Sequence, residues 1–288
     1  MKRLLPPLLG LMVLAGCQSM SARPTVGRLK TGDGVSIAYE TRGRGGTALV
    51  FIHCWCCDRT FWRNQLDEFS QEYRIVAVDL AGHGESGKNR ETWTVAGLAA
   101  DVSAVINKLG LKRVILIGHS MGGPVSLEVA RLQPDRVIGI VAVDTLHDAE
   151  QEYTREMIEQ IAARFNADFA GTMDQLVPTM FPPESNKEVQ DFVLTKAKAS
   201  DPRAATGLIS DIANIDLKVG FTAARVPIRA INAVPHPPYG QKTAVEANKK
   251  YADFDAVFLD GVGHYLQLEK PDEFNELLRE ILLQLDRR

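Results

Sequence analysis

The stretch Val114-Ile115-Leu116-Ile117-Gly118-His119-Ser120-Met121-Gly122-Gly123 decides the fold. Four aliphatic residues read as a buried strand, G-x-S-x-G follows, and Pro124 to Leu132 after the Gly-Gly pair carries a helical pattern. A strand that runs through G-x-S-x-G into a helix is the context a nucleophile elbow requires. Gly118 and Gly122 suit it because the turn strains the serine backbone and brings neighbouring chains close, where side chains would clash. The helix points its N-terminus at Ser120, placing the Met121 N–H and a positive dipole end where an oxyanion would form.

Similar short runs recur on both sides of this segment. Thr47 to His53, Arg74 to Asp79, Val137 to Asp144, Pro227 to Asn232 and Ala256 to Leu259 each read as a strand buried on both faces. Thr94 to Leu109 between them is helical in pattern, with Leu98, Val102, Val105, Ile106 and Leu109 on one face. Alternating strand and helix predict a largely parallel α/β sheet. Gly27 to Thr41, with Gly32-Asp33-Gly34 in its middle, reads as an antiparallel hairpin leading into that sheet. From about Leu146 to Arg225 the alternation stops. This segment is helical in pattern, and Pro178, Pro182 and Pro183 divide it into short pieces, predicting a helical insertion over the sheet edge.

Composition narrows the function classes. The 288 residues include 33 Lys+Arg and 36 Asp+Glu, a net charge of −3, so no basic excess exists to hold nucleic acid. With 45% hydrophobic residues, a chain of this length buries enough apolar surface to need no metal or disulfide staple.

At the N-terminus Lys2 and Arg3 precede the apolar run Leu4 to Leu14, the layout of a secretory signal that is too short to span a bilayer. The junction Leu14-Ala15-Gly16-Cys17 resembles the lipobox of bacterial lipoproteins. That resemblance implies residues 1–16 as signal, cleavage before Cys17, lipid on Cys17 as the membrane contact, and residues 17–24 as a tether. Gln18 after the cysteine implies the outer membrane of the bacterial envelope, facing the periplasm. The other cysteines, Cys54, Cys56 and Cys57, crowd into one segment, and their odd count leaves at least one thiol unpaired. His53-Cys54-Trp55-Cys56-Cys57 invites a metal reading, but no second Cys/His cluster supplies the remaining ligands of a zinc site, so none is expected.

The elbow, Phe51-Ile52-His53 before a Trp-containing loop, Asp79-Leu80-Ala81-Gly82-His83-Gly84-Glu85-Ser86, and Gly263-His264 together resemble the α/β-hydrolase fold family over nearly all of the mature chain. The resemblance implies a hydrolase core of residues 25–145 and 226–288 and a helical lid of residues 146–225. Ser120 is then the nucleophile, which needs a base within reach. Chain order in the family is serine, acid, histidine, which implies His264 as base. His83 in the D-x-x-G-x-G-x-S-like loop reads as structural. His53 and His119 sit beside motif positions, His147 begins the lid and His236 lies in a Pro-rich loop.

The acid departs from the commonest pattern. Many relatives place an Asp after the strand matching Val226 to Asn232, but Ala233-Val234-Pro235-His236-Pro237-Pro238-Tyr239 holds no carboxylate. Some members carry the acid at the end of the preceding strand, and Val141-Ala142-Val143-Asp144 ends there. Asp144 is therefore the candidate to fix the imidazole tautomer; otherwise it caps the lid's first turn and Asp148, or no acid, serves. The family's second oxyanion donor maps onto Trp55. Cys54 replaces the usual glycine before it. If that position needs φ > 0 the cysteine is strained and tilts the donor; otherwise it fits with modest adjustment.

These readings predict a serine hydrolase acting on a small-molecule ester or related acyl substrate through an acyl-enzyme, with no cofactor. Elbow serines of this fold also serve lyases and perhydrolases. The rival is a non-catalytic ligand-binding lipoprotein of the same fold, motivated by Cys54 and the empty acid slot.

Overall fold

The computed structural model describes residues 24–235 and 241–287. Eight strands form one sheet in the order β1-β2-β4-β3-β5-β6-β7-β8: β1 (Thr25–Lys30), β2 (Ser36–Arg42), β3 (Ala48–Ile52), β4 (Arg74–Val78), β5 (Val114–His119), β6 (Val137–Val143), β7 (Ile228–Ala233) and β8 (Phe254–Leu259). The β1–β2 hairpin joins antiparallel to β4, and every other neighbour pair is parallel. The fold is thus the α/β-hydrolase architecture that the sequence predicts. The lipobox-like junction, Cys17 and His236 lie outside the described residues.

Every residue of β3 and β5 is buried, because helices cover both faces. One face packs under α2 (Val95–Lys108) and α3 (Gly122–Leu132), the other under α1 (Arg63–Phe69) and the C-terminal helix (Pro271–Asp286). The last strand departs from the expectation of burial on both faces. As the sheet edge it has no neighbour beyond it, and Val257 and Phe258 are exposed.

Local signals place α2 closely. The Thr94 hydroxyl oxygen accepts from the Gly97 N–H at 3.0 Å at its start. At its end Gly110 takes φ +63°, and the Leu111 N–H returns to the Ile106 carbonyl, a left-handed stop that suits glycine.

Between β6 and β7 lie α4 (Arg155–Ala167), α5 (Phe169–Leu176), α6 (Lys187–Lys198), α7 (Pro202–Asp211) and α8 (Leu217–Ala224). Each of them starts on a side-chain cap, from Thr154, Asp168, Asn186, Asp201 or Asp216 in turn, which lets each short helix form despite its length. α5 ends just before Pro178, and α6 begins only after Pro182 and Pro183. The first four of these helices and the Cys54–Phe61 loop enclose an apolar cluster containing Phe61, Phe165, Met173, Phe181 and Tyr265, while α8 packs into the core on the α3 side of the sheet.

Candidate active site

β5 delivers Ser120 with φ +53°, a left-handed conformation that costs a non-glycine residue energy and persists only where its surroundings enforce it. The Ser120 N–H donates to the Val143 carbonyl at 3.0 Å, and its carbonyl accepts from the Gly123 N–H and the Thr145 hydroxyl. The two motif glycines have steric causes. A Cβ on Gly118 would drive into the Gly122 carbonyl, and one on Gly122 into the Ile52 carbonyl of the adjacent strand. The elbow is therefore pressed against the chain that continues into the Trp55 loop.

Asp144 directly follows β6, is almost wholly buried, and has φ +44°. Its Oδ2 lies 2.6 Å from His264 Nδ1, and its Oδ1 accepts from the Ala233 N–H at 3.0 Å. Burial by itself would raise the Asp144 pKa, but the hydrogen bond and attraction of His264 and the Ala233 N–H hold it below the ordinary value. The last residue of β7, just before the loop that holds no carboxylate, thus contributes a backbone donor to Asp144. Asp148, the other candidate acid, hydrogen-bonds the Glu150 N–H.

Three supports hold His264. Its N–H donates to the Met180 carbonyl at 2.8 Å, and its carbonyl accepts from His119 Nε2 at 2.7 Å. Glu269 Oε1 takes the N–H groups of the flanking Gly263 and Tyr265, while its Oε2 accepts from Ser185. Burial raises the Glu269 pKa against these bonds.

Among the described residues the other histidines are buried, which favours their neutral form. His119, whose Nδ1 faces the Gln267 amide, is pushed by burial down to about 3. His53 donates from Nδ1 to the Cys54 carbonyl and accepts the Leu80 N–H at Nε2, and burial lowers it to about 4. His83 falls to about 3 for the same reason, in keeping with its structural reading. His147 does more than begin the lid: it is buried, its Nδ1 lies 3.1 Å from the Thr243 hydroxyl and its Nε2 3.8 Å from Asp144 Oδ1. The roles of His119, His147 and Glu269 escape sequence reading; only the i,i+3 spacing of Asp144 and His147 hints at one of them.

The donor loop differs from expectation. Cys54 is bonded to Cys57, and the left-handed residue is Cys56 (φ +56°), whose thiol is free and buried. The strain considered for Cys54 therefore falls two residues later. Burial raises the Cys56 thiol pKa strongly, so no thiolate nucleophile is available there. The Trp55 indole N–H donates to the Ala205 carbonyl of α7 at 2.9 Å, and its ring meets Phe165 edge-on. Among the described residues, neither the Trp55 nor the Met121 backbone N–H has an acceptor.

Ser120, Asp144, His264, Trp55 and Met121 line one cavity of about 470 Å³. Its remaining walls are mainly aliphatic, drawn from the lid residues Ile158, Ile161, Leu176, Leu208, Ile209 and Ile212. Phe165, Phe169, Met173 and Phe181 of this segment belong to the apolar cluster and do not line the cavity, whereas Met180 reaches it. Among the described residues, no group of three or more His, Cys, Asp or Glu side chains is placed to hold a metal ion.

The sequence profile of the alpha/beta hydrolase family matches residues 49–277. The dihydrolipoyllysine-residue acetyltransferase component of the acetoin cleaving system of Pseudomonas putida is 29% identical over 255 residues, 85% of this chain. The chain spans only 65% of that relative's length. The pimeloyl-[acyl-carrier protein] methyl ester esterase of Yersinia enterocolitica is 24% identical over 82% of this chain and 93% of its own. Among solved structures, a thermophilic esterase from Thermogutta terrifontis superposes with a TM-score of 0.77 at 23% identity, covering 91% of this chain and 99% of that one.

Proposed function

The chain belongs to the alpha/beta hydrolase family, and we propose that within it the protein is a serine hydrolase cleaving a carboxylic ester or related acyl bond. The observation that carries this reading is the 2.6 Å pairing of His264 Nδ1 with buried Asp144 at the wall of the cavity into which left-handed Ser120 opens.

With Asp144 ionised, His264 donates from Nδ1 and keeps Nε2 free to accept the Ser120 proton. The serine oxygen then attacks the acyl carbon, and the carbonyl oxygen becomes an oxyanion facing the unpartnered Met121 and Trp55 N–H groups. Protonated His264 returns its proton to the leaving alcohol, giving an acyl-enzyme, and the same base activates the water that hydrolyses it. The aliphatic cavity favours an apolar acyl or alcohol group over a charged one.

The test is labelling of the full-length protein with a fluorophosphonate, read by intact mass. One adduct is expected, absent in Ser120→Ala; a folded wild type that takes no label refutes the reading and favours a ligand-binding role. The proposal extends to location, with the protein held at the bacterial envelope by lipid on Cys17. Metabolic incorporation of labelled palmitate that Cys17→Ser abolishes is the expected result, and incorporation that survives the substitution overturns it.

A further inference from the structure

We propose that the Cys54–Cys57 disulfide is a positioning element of the oxyanion site, locking the turn that carries Trp55; this rests on the serine-hydrolase reading above. Three observations lead to it. The bond closes a four-residue turn around Trp55, reinforced by the Cys57 N–H on the Cys54 carbonyl, and Trp55 lines the cavity with Ser120 and Met121. The third residue of that turn, Cys56, is left-handed, a position where glycine is ordinarily found. The loop also abuts the elbow itself, since the carbonyls of Ile52 and His53 are what a side chain on Gly122 would strike.

A left-handed cysteine is not self-sustaining, so its neighbours must impose the conformation. His53 holds the start of the turn through the Cys54 carbonyl, and the Trp55 indole is fixed to the lid through Ala205, but neither fixes the peptides between Trp55 and Cys57. The disulfide does. Without it Cys56 relaxes toward ordinary right-handed or extended backbone, the adjoining peptides rotate, and the Trp55 N–H leaves the direction of the oxyanion. Cys54 and Cys57 are thus positioning residues, acting through the Trp55 amide.

The pairing is checked first by alkylating the denatured, unreduced full-length protein and mapping its tryptic peptides. The Gly45–Arg59 peptide should carry one alkyl group, on Cys56; three groups overturn the proposal. Next, Cys57→Ala is compared with wild type in fluorophosphonate labelling and ester hydrolysis. A fall of about a hundred- to a thousandfold in labelling rate and kcat is expected, the range for loss of one oxyanion donor, with KM and the pH profile unchanged because His264 and Asp144 are untouched. Cys56→Gly added to Cys57→Ala should recover most of the loss, because glycine takes φ +56° without strain. That double variant also serves if Cys57→Ala fails to fold. Labelling of Cys57→Ala at the wild-type rate refutes the proposal while leaving the hydrolase reading intact, whereas a wild type that is never labelled removes both.

Discussion

Replacing Asp144 with Asn separates the acid's electrostatic role from its structural one. The two carboxylate oxygens have different partners: Oδ1 accepts from the Ala233 N–H, and Oδ2 faces His264 Nδ1. An asparagine of the same shape can satisfy Ala233 only by keeping its carbonyl oxygen on the Oδ1 side, since the flipped amide would set N–H against N–H. Its NH₂ group then faces His264 and turns Nδ1 into the acceptor. The imidazole proton moves to Nε2, and the ring can no longer take the serine proton. A wrong-tautomer defect of this kind costs about ten-thousandfold in kcat, or roughly 5 kcal/mol of transition-state stabilisation. Stability should change by only about 1 kcal/mol, because the hydrogen bond to Ala233 survives. The assays are kcat on a p-nitrophenyl ester and urea unfolding of the same preparations. A loss of less than tenfold with native-like folding refutes the role of Asp144, and Asp148→Asn should leave kcat within twofold of wild type.

Gly122→Ala should cost about 1–3 kcal/mol in urea unfolding and lower kcat at least tenfold, because its Cβ forces the elbow away from the Ile52 carbonyl. Removal of the Glu269 carboxylate in Glu269→Ala leaves the Gly263 and Tyr265 N–H groups without their acceptor, an expected loss of about 1–3 kcal/mol, whereas Glu269→Gln retains most of that stability. Proton NMR should show the rings of His53, His83 and His119 unprotonated down to pH 5. The unfolded chain takes up these protons near pH 6.5 and the folded one only near 3–4, so each ring lowers stability as pH falls through that interval, by up to about 1.4 kcal/mol per pH unit. Titration of these three rings near pH 6.5 in the folded protein refutes their burial as neutral groups.

The central strands were legible because burial on both faces demands unbroken aliphatic runs: Val114–Ile117 and Val137–Val143 contain no side chain that wants water. The same rule misjudged Ala256 to Leu259. Its apolar run reads like a central strand, yet position in the sheet order, which hydropathy does not encode, left Val257 and Phe258 exposed. Ser120 and His264, which the structure brings to one cavity, were legible as candidates because each lies in a short contiguous motif. Asp144 required the absence of any acid in the loop after β7. His119 meets the backbone carbonyl of His264, far away in the chain, and Glu269 accepts from the nearby Gly263 and Tyr265 N–H groups at no motif spacing, so neither leaves a sequence signature. The donor loop shows the limit most clearly, since three cysteines within four residues fix neither which two pair nor which one turns left-handed.

Four of the five left-handed non-glycine residues among those described, Cys56, Ser120, Asp144 and Leu146, surround the Ser120 cavity or the loop beside it. Each costs on the order of 1–3 kcal/mol, and local propensity opposes all of them. Such conformations persist because separate constraints converge: Val143 and Thr145 hold Ser120, Ile231 and Ala233 hold Asp144, and a covalent bond spans Cys56. The sheet supplies the first two sets of constraints, because β6 lies between β5 and β7 and offers each a parallel neighbour to bond. The Cys54–Cys57 turn extends beyond β3, where the sheet provides no such partner, and a disulfide stands in its place. On the serine-hydrolase reading, an acid at the end of β6 therefore needs no new scaffold, while a donor loop with cysteine at position 54 does.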